Sequence, residues 1–207
     1  MRLARIASIG VLLPLVAFSG DASQKVDEAK RAFYEAANKQ EAAYRKALGE
    51  AILNATRCEV FLLDFNIPHD KKKESFFDYP SDDDHFPIRP YSAETKIRKR
   101  RVLTVDEFQR LKQSLVETVS VAESSGGALC HMPIHGLRVF DGDEMIFETS
   151  ICYGCSNFYV AYPLGDAGWV GLSAKDFDKA METLMPIPES ERKRFEEAHK
   201  PKKEPKK

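Results

Sequence analysis

Hydrophobic positions change their period several times along the chain, and each change predicts an element. Over residues 22–54, Val26, Ala29, Phe33, Ala36, Ala37, Ala43, Ala47, Leu48, Ala51 and Ile52 recur at three- and four-residue steps, with Lys and Glu between them. This predicts one long amphipathic helix with a narrow, Ala-rich stripe, suited to packing on a partner or on a second copy. Residues 57–65 form a short run rich in β-formers, read as a buried strand. Residues 67–90 break the pattern with Pro68, Pro80, Pro87 and Pro90 and with blocks of Lys and Asp, and are read as a long surface loop. Its acids, His69 and His85 offer ligands for a cation, although solvated chain accounts for the same composition.

A second strand with a charged face is expected within residues 91–103. Thr104 and Glu107 then have the spacing of a capping box, opening a helix whose buried stripe is Phe108, Leu111, Leu115 and Val119. Residues 137–140 and 144–152 flank Asp141-Gly142, a hairpin turn signal, and residues 157–162 make a further strand. Ser173 and Asp176 open a last core helix carrying Phe177, Ala180, Met181 and Leu184, which Pro186 and Pro188 stop. A charged helical tail over residues 189–199 ends in a Lys-Pro stretch. Strands cluster without βαβ alternation, so the fold class is α+β. The expected architecture is an antiparallel sheet of about four to five strands with packed helices, preceded by the long N-terminal amphipathic helix.

The first twenty residues read differently. Arg2 and Arg5 precede an apolar stretch over residues 6–18, and small residues around Ala17 and Ser19 offer a cleavage site before Asp21. The stretch is shorter than the ~20 residues of a spanning helix, and Pro14 interrupts it. The expected organisation is therefore a signal peptide (1–20), the amphipathic helix (21–54), an α+β domain (55–188, with the loop 67–90) and a tail (189–207). The mature protein is expected in the periplasm or outside the cell, with no transmembrane segment after cleavage. Net charge over the 207 residues is −1, which lacks the basic excess of a nucleic-acid binder. Hydrophobic residues at 43% suit a globular core.

Candidate chemistry is confined to four cysteines and their histidine neighbours. Cys130, His131 and His135 precede the hairpin, and Cys152-Tyr-Gly-Cys155 follows it; Cys58 lies apart. If Asp141-Gly142 is the two-residue loop, Phe140 faces Asp143, His135 faces Glu148 and His131 faces Cys152, which brings the first Cys back to the later pair. Three chemistries compete there. One is a structural disulfide of Cys130 with Cys152 or Cys155, leaving Cys58 for the remaining thiol if its strand is adjacent; oxidising surroundings favour it. The second is a tetrahedral zinc site of Cys130, His135 (or His131), Cys152 and Cys155, the one cofactor the residues suggest. The third is thiol–disulfide exchange by Cys152 and Cys155, which here lack the helix N-terminus that usually activates such a pair, Gly154 supplying a bend instead. A nucleophilic pair of Cys130 with His135 or His131 has no identifiable residue to orient the imidazole. Asn54-Ala-Thr56 is a glycosylation sequon at a helix–strand junction, and Trp169 is read as a loop aromatic folded into the core.

The run Cys130-x-x-Pro133-x-His135-Gly136-Leu137-Arg138, followed by Ile151-Cys152-Tyr-Gly-Cys155, resembles a family of bacterial exported proteins with the pattern C-x-P-x-H-G-[IL]-R and then I-C-[FY]-x-C. One extra residue separates Cys from Pro here. The resemblance groups Cys130, His135, Cys152 and Cys155 as a unit and brings no activity with it. The function expected from all this is a non-catalytic binding or scaffold domain with a structural Cys/His cluster.

Overall fold

The structure is a computed structural model and describes residues 19–65, 84–89, 93–121, 131–163, 167–172 and 176–199. The chain divides into two compact units, residues 1–40 and 41–207. Helix α1 (Ser19–Asn54) begins in the first and ends in the second. In the first unit the described side chains of α1 are almost all exposed: Val26 is 53%, Phe33 69% and Tyr34 63% accessible. Good helix formers keep this segment helical without burial. Val26 and Phe33 of the expected stripe are therefore not covered by other described residues of this chain.

In the second unit the buried face of α1 also differs from the Ala stripe. Arg45, Leu48, Gly49 and Ile52 point inward, while Ala43, Ala47 and Ala51 are exposed. The reason is close approach. Gly49 lies against Ser120 and Val116 of α2 (Val105–Val121), and a Cβ there would overlap the Ser120 hydroxyl. Turning Leu48 and Ile52 inward also removes more apolar surface from water than turning three alanines inward. α1 has no basic residue in its last turn. Lys112 of α2 supplies the charge, its buried ammonium donating to the Leu53 carbonyl at 2.9 Å and the Ala55 carbonyl at 2.7 Å.

α2 itself follows its sequence closely. Glu107 Oε2 accepts from the Thr104 N–H at 3.0 Å and Thr104 Oγ1 accepts from the Glu107 N–H at 3.3 Å, the reciprocal capping box. Phe108, Leu111, Leu115 and Val119 are all buried.

Among the described residues, seven strands form one antiparallel sheet: β1 (Arg57–Leu63), β2 (His85–Ile88), β3 (Ala93–Val102), β4 (His135–Asp141), β5 (Glu144–Cys152), β6 (Asn157–Ala161) and β7 (Ala167–Gly171), in the order β2-β3-β1-β4-β5-β6-β7. The α+β class and antiparallel pairing stand; the expected four to five strands become seven. The two extra strands lie at the sheet edges. β2 falls inside the expected loop 67–90, most of which, with His69, lies outside the described residues. Pro87 is tolerated there because an edge strand leaves one side of its backbone without ladder partners. β7 is Gly-rich, and Trp169 is a strand residue facing Tyr159 and not a loop aromatic. Gly168 lies against the Tyr162 ring, whose Cε2 would lie 2.7 Å from a Cβ at that position, so a larger residue would have to displace the ring.

Opposed residues of an antiparallel ladder share a face and neighbours alternate. Cys58, Val60, Leu137, Val139, Ile151, Phe158 and Val170 therefore line one face, the helical face. There they pack with α1, α2 and α3 (Phe177–Leu184) into the main core. The opposite face carries a smaller cluster of Phe61, Leu63, Phe86, Ile88 and Ala93. Here the sheet curls, and the Phe86 ring of β2 lies on Gly136 of β4, within 2.7 Å of where a Cβ would stand. Beside it the buried Arg138 donates to Glu148 at 2.8 Å, with its guanidinium 4.8 Å and 4.9 Å from the Phe61 and Phe86 ring centres. A final helix, α4 (Glu189–His199), occupies the expected tail.

The position of Gly49 is testable. Gly49→Leu should lose about 1–3 kcal/mol in urea unfolding through overpacking against Ser120 and Val116. Ala43→Leu, a substitution on the alanine stripe, should stay within about 0.5 kcal/mol of the parent. The reverse order would mean that the Ala stripe is the packed face.

Candidate functional site

The hairpin decides where the motif residues lie. Its two-residue loop is Gly142-Asp143, one residue later than expected, with Gly142 at φ +59° and Asp141 opposite Glu144. A bulge follows: Phe140 faces Met145 but Val139 faces Phe147, so Ile146 is extra. Together these shift the pairing by three residues, and His135 faces Ile151 where Glu148 was expected. An odd shift moves every side chain to the other face.

His135 consequently sits on the helical face with Ile151, while Cys152, the next residue on β5, points to the opposite face alongside Asn157. Two members of the candidate zinc set are thus separated by the sheet. Cys155 lies half-buried in the turn after β5, and Cys130 lies outside the described residues. No two of Cys58, Cys152 and Cys155 are at bonding distance. Among the described residues, no group of three or more His, Cys, Asp or Glu side chains is placed to hold a metal.

Cys58 does not belong to this cluster. Its strand β1 pairs with β3 and β4, so β4 stands between it and β5. Cys58 faces Val139, which faces Phe147, five residues before Cys152. Strand spacing and rise then put Cys58 roughly 15–20 Å from Cys152, far beyond the ~7 Å Cα separation a disulfide tolerates. Its thiol is fully buried, and that burial, with Glu59 next to it, pushes its pKa well up.

The CxxC segment is a turn between β5 and β6, as the sequence implied, with no helix starting at Cys152. The left-handed residue of this turn is Ser156, at φ 49°, and not Gly154.

Both histidines are buried, and each uses both ring nitrogens. On the helical face, His135 Nε2 lies 2.8 Å from the Met185 carbonyl oxygen, which only accepts, so Nε2 carries the proton. Nδ1 then accepts from the Tyr153 hydroxyl at 2.7 Å. On the opposite face His131 has the other tautomer: its Nδ1–H donates to Asn157 Oδ1 at 3.1 Å, and Nε2 accepts from the Ser150 hydroxyl at 2.8 Å. The Trp169 ring packs on His131 at 4.6 Å. The roles of Met185, Ser150, Asn157 and Trp169 carry no motif of their own; only the topology reveals them.

Tyr153, His135 and the Met185 carbonyl have the connectivity of a nucleophile, a base and an orienting group. Their electrostatics oppose that use. Burial, and then Arg192, holds His135 down at about 4. Burial, and then Glu182 and Asp178, pushes the Tyr153 phenol well above its usual range. The proton therefore stays on oxygen, and the pair is a neutral hydrogen bond. Burial likewise lowers His131 to about 4, against the opposing hydrogen bonds of Asn157 and Ser150.

Tyr153 also forms part of a cleft of about 620 Å³ bounded by α3, α4 and the β5–β6 turn, with Ile134, Ile187 and Phe195 as its other apolar lining. No family model matches the chain, and neither a curated protein nor a solved structure matches it.

The two histidines predict an acid transition. Each has a folded pKa of about 4 against an unfolded value near 6.5. Between these values the unfolded chain binds more protons, so stability is complete above about pH 6.5 and falls as pH drops toward 4. The loss is about 3 kcal/mol per histidine by linkage. Urea unfolding at a series of pH values should show this slope, and His135→Gln should remove roughly half of it. A flat profile across that window would show that the histidines are not buried as neutral groups. Nitrogen-15 spectra should report opposite neutral tautomers at pH 7.

Proposed function

We propose that the protein is exported and acts as a non-catalytic binding or scaffold domain whose Cys/His segment is structural. The observation that supports this most is that His131 and His135 are buried, neutral and bonded at both nitrogens, one on each face of the sheet. Neither has a lone pair left for a metal or the basicity to activate a nucleophile. Their bonds tie the segment entering β4 to β5, β6 and the carbonyl after α3. In this reading Cys130, the residue before His131, adds a covalent tie to Cys152 or Cys155. The binding side of the proposal draws on the cleft over Tyr153, since concave sites with an apolar lining and a few polar groups are where small ligands bind. Export draws on Arg2, Arg5 and the apolar residues 6–18, which lie outside the described residues.

The zinc alternative would require His135 to give up its bond to Met185 or to Tyr153. The thiol-exchange alternative would use Cys155, half-buried in the turn, and Cys152, which is fully buried. Thiol counting, non-reducing peptide mapping and metal analysis of protein from an exporting host separate the three. The expected outcome is one disulfide that includes Cys130, a reduced Cys58 and no bound metal. Stoichiometric zinc would overturn the structural-disulfide reading, and reduction of a model disulfide above background would overturn the non-catalytic one.

A further inference from the structure

We propose that the cleft over Tyr153 binds a small organic cation, an ammonium, amidinium or guanidinium group carried on an apolar body. This rests on the binding reading above and assigns its ligand class. The cleft holds about 620 Å³, within the range of small-molecule sites. Its apolar lining is Ile134, Tyr153, Ile187 and Phe195, with the two aromatic rings presented from different elements, the β5–β6 turn and α4.

Its charged lining is unbalanced. Asp178, Glu182 and Glu196 face Lys179 and Arg192, three carboxylates against two cations, a net charge of −1. The cations are also engaged. Arg192 donates to Glu182 at 2.5 Å, and the Lys179 ammonium lies 3.7 Å from Asp176, which is not part of the lining. The carboxylates of Asp178 and Glu196 have no side-chain cation within salt-bridge distance among the described residues. An anionic ligand would meet this excess at the rim, and a neutral one would leave it uncompensated. A cation gains from the carboxylate excess of the lining and from its aromatic side chains. Tyr153 suits the role because it stays a neutral phenol whose hydroxyl is committed to His135. A bare metal ion does not fit, since among the described residues no three His, Cys, Asp or Glu side chains are placed to hold one, and the apolar lining would go unused.

The test titrates the whole chain with three benzene-ring probes of similar size, benzylamine, benzyl alcohol and benzoate, followed by backbone amide shifts. Benzylamine should move the amides of Gly154, Asp178, Thr183 and Glu196 with an affinity in the millimolar range expected of so small a fragment. It should bind roughly threefold or more tighter than benzyl alcohol, with benzoate weakest. Asp178→Asn with Glu196→Gln should remove the preference for benzylamine and leave benzyl alcohol unchanged, while the circular dichroism spectrum reports an intact fold. If benzyl alcohol or benzoate binds the cleft as well as benzylamine does, the ligand class is wrong and the binding reading stands. If no probe moves the cleft amides, both fall.

Discussion

The pairing of β4 with β5 is the constraint on which the chemistry of this molecule depends. A loop placed at Gly142-Asp143 and one bulged residue, Ile146, fix the register of the hairpin. That register assigns His135 to the helical face and Cys152 to the other. Had the loop been Asp141-Gly142 with no bulge, the same residues would have shared a face and a compact Cys/His site would have been available. The energy behind the observed choice is ordinary burial. It places Leu137, Val139, Phe147 and Ile151 against the helices, all buried to 5% exposure or less. It also pairs Arg138 with Glu148 on the other face. The alternative would turn Arg138 toward the apolar helices or set Leu137 among charged groups, at several kcal/mol for an unpaired buried charge.

Two histidines four residues apart thus end as separate fasteners. His131 joins β5 and β6 through Ser150 and Asn157; His135 joins β4 to the turn at Tyr153 and to the carbonyl that ends α3. Each satisfies polar groups that would otherwise be buried without partners. The same burial that makes these bonds valuable keeps both imidazoles neutral, which removes them from acid–base chemistry near pH 7. Structural use and catalytic use of a histidine compete for the same lone pair, and here the structural use takes both nitrogens.

What could be read in advance follows from how local each signal is. The capping box of Thr104 and Glu107, the four-residue stripe of α2 and the turn position of Cys152 to Cys155 depend on neighbours in sequence, and they were legible. β2 and β7 were not, because Pro87 and the glycines around Trp169 are turn residues by type and become strands only against β3 and β6. The buried face of α1 is legible only in part, at Leu48 and Ile52, for a similar reason. Alanines mark a stripe, but Gly49 decides the face by letting α2 approach, and nothing in α1 alone announces Ser120 as its neighbour. The candidate site was legible as a neighbourhood and not as a geometry, since one bulge reversed which side chains meet.

The cysteine count takes on a different meaning once the strands are placed. Four cysteines permit two bridges, but Cys58 is roughly 15–20 Å from Cys152 by strand geometry and faces the main core. Its raised pKa leaves almost no thiolate, the form that oxidises. A buried thiol of this kind would persist even in oxidising surroundings, because it is unreactive and far from Cys152. Removing it leaves Cys130, Cys152 and Cys155, which can make one bridge and one remaining thiol. The evenness of the count is therefore not in itself an argument for two bridges. The case for a bridge comes from His131, the residue after Cys130 in sequence, which bonds Ser150 and Asn157 beside the β5–β6 turn. Whichever of Cys152 and Cys155 is used, the bond would close the edge of a network that hydrogen bonds have already assembled.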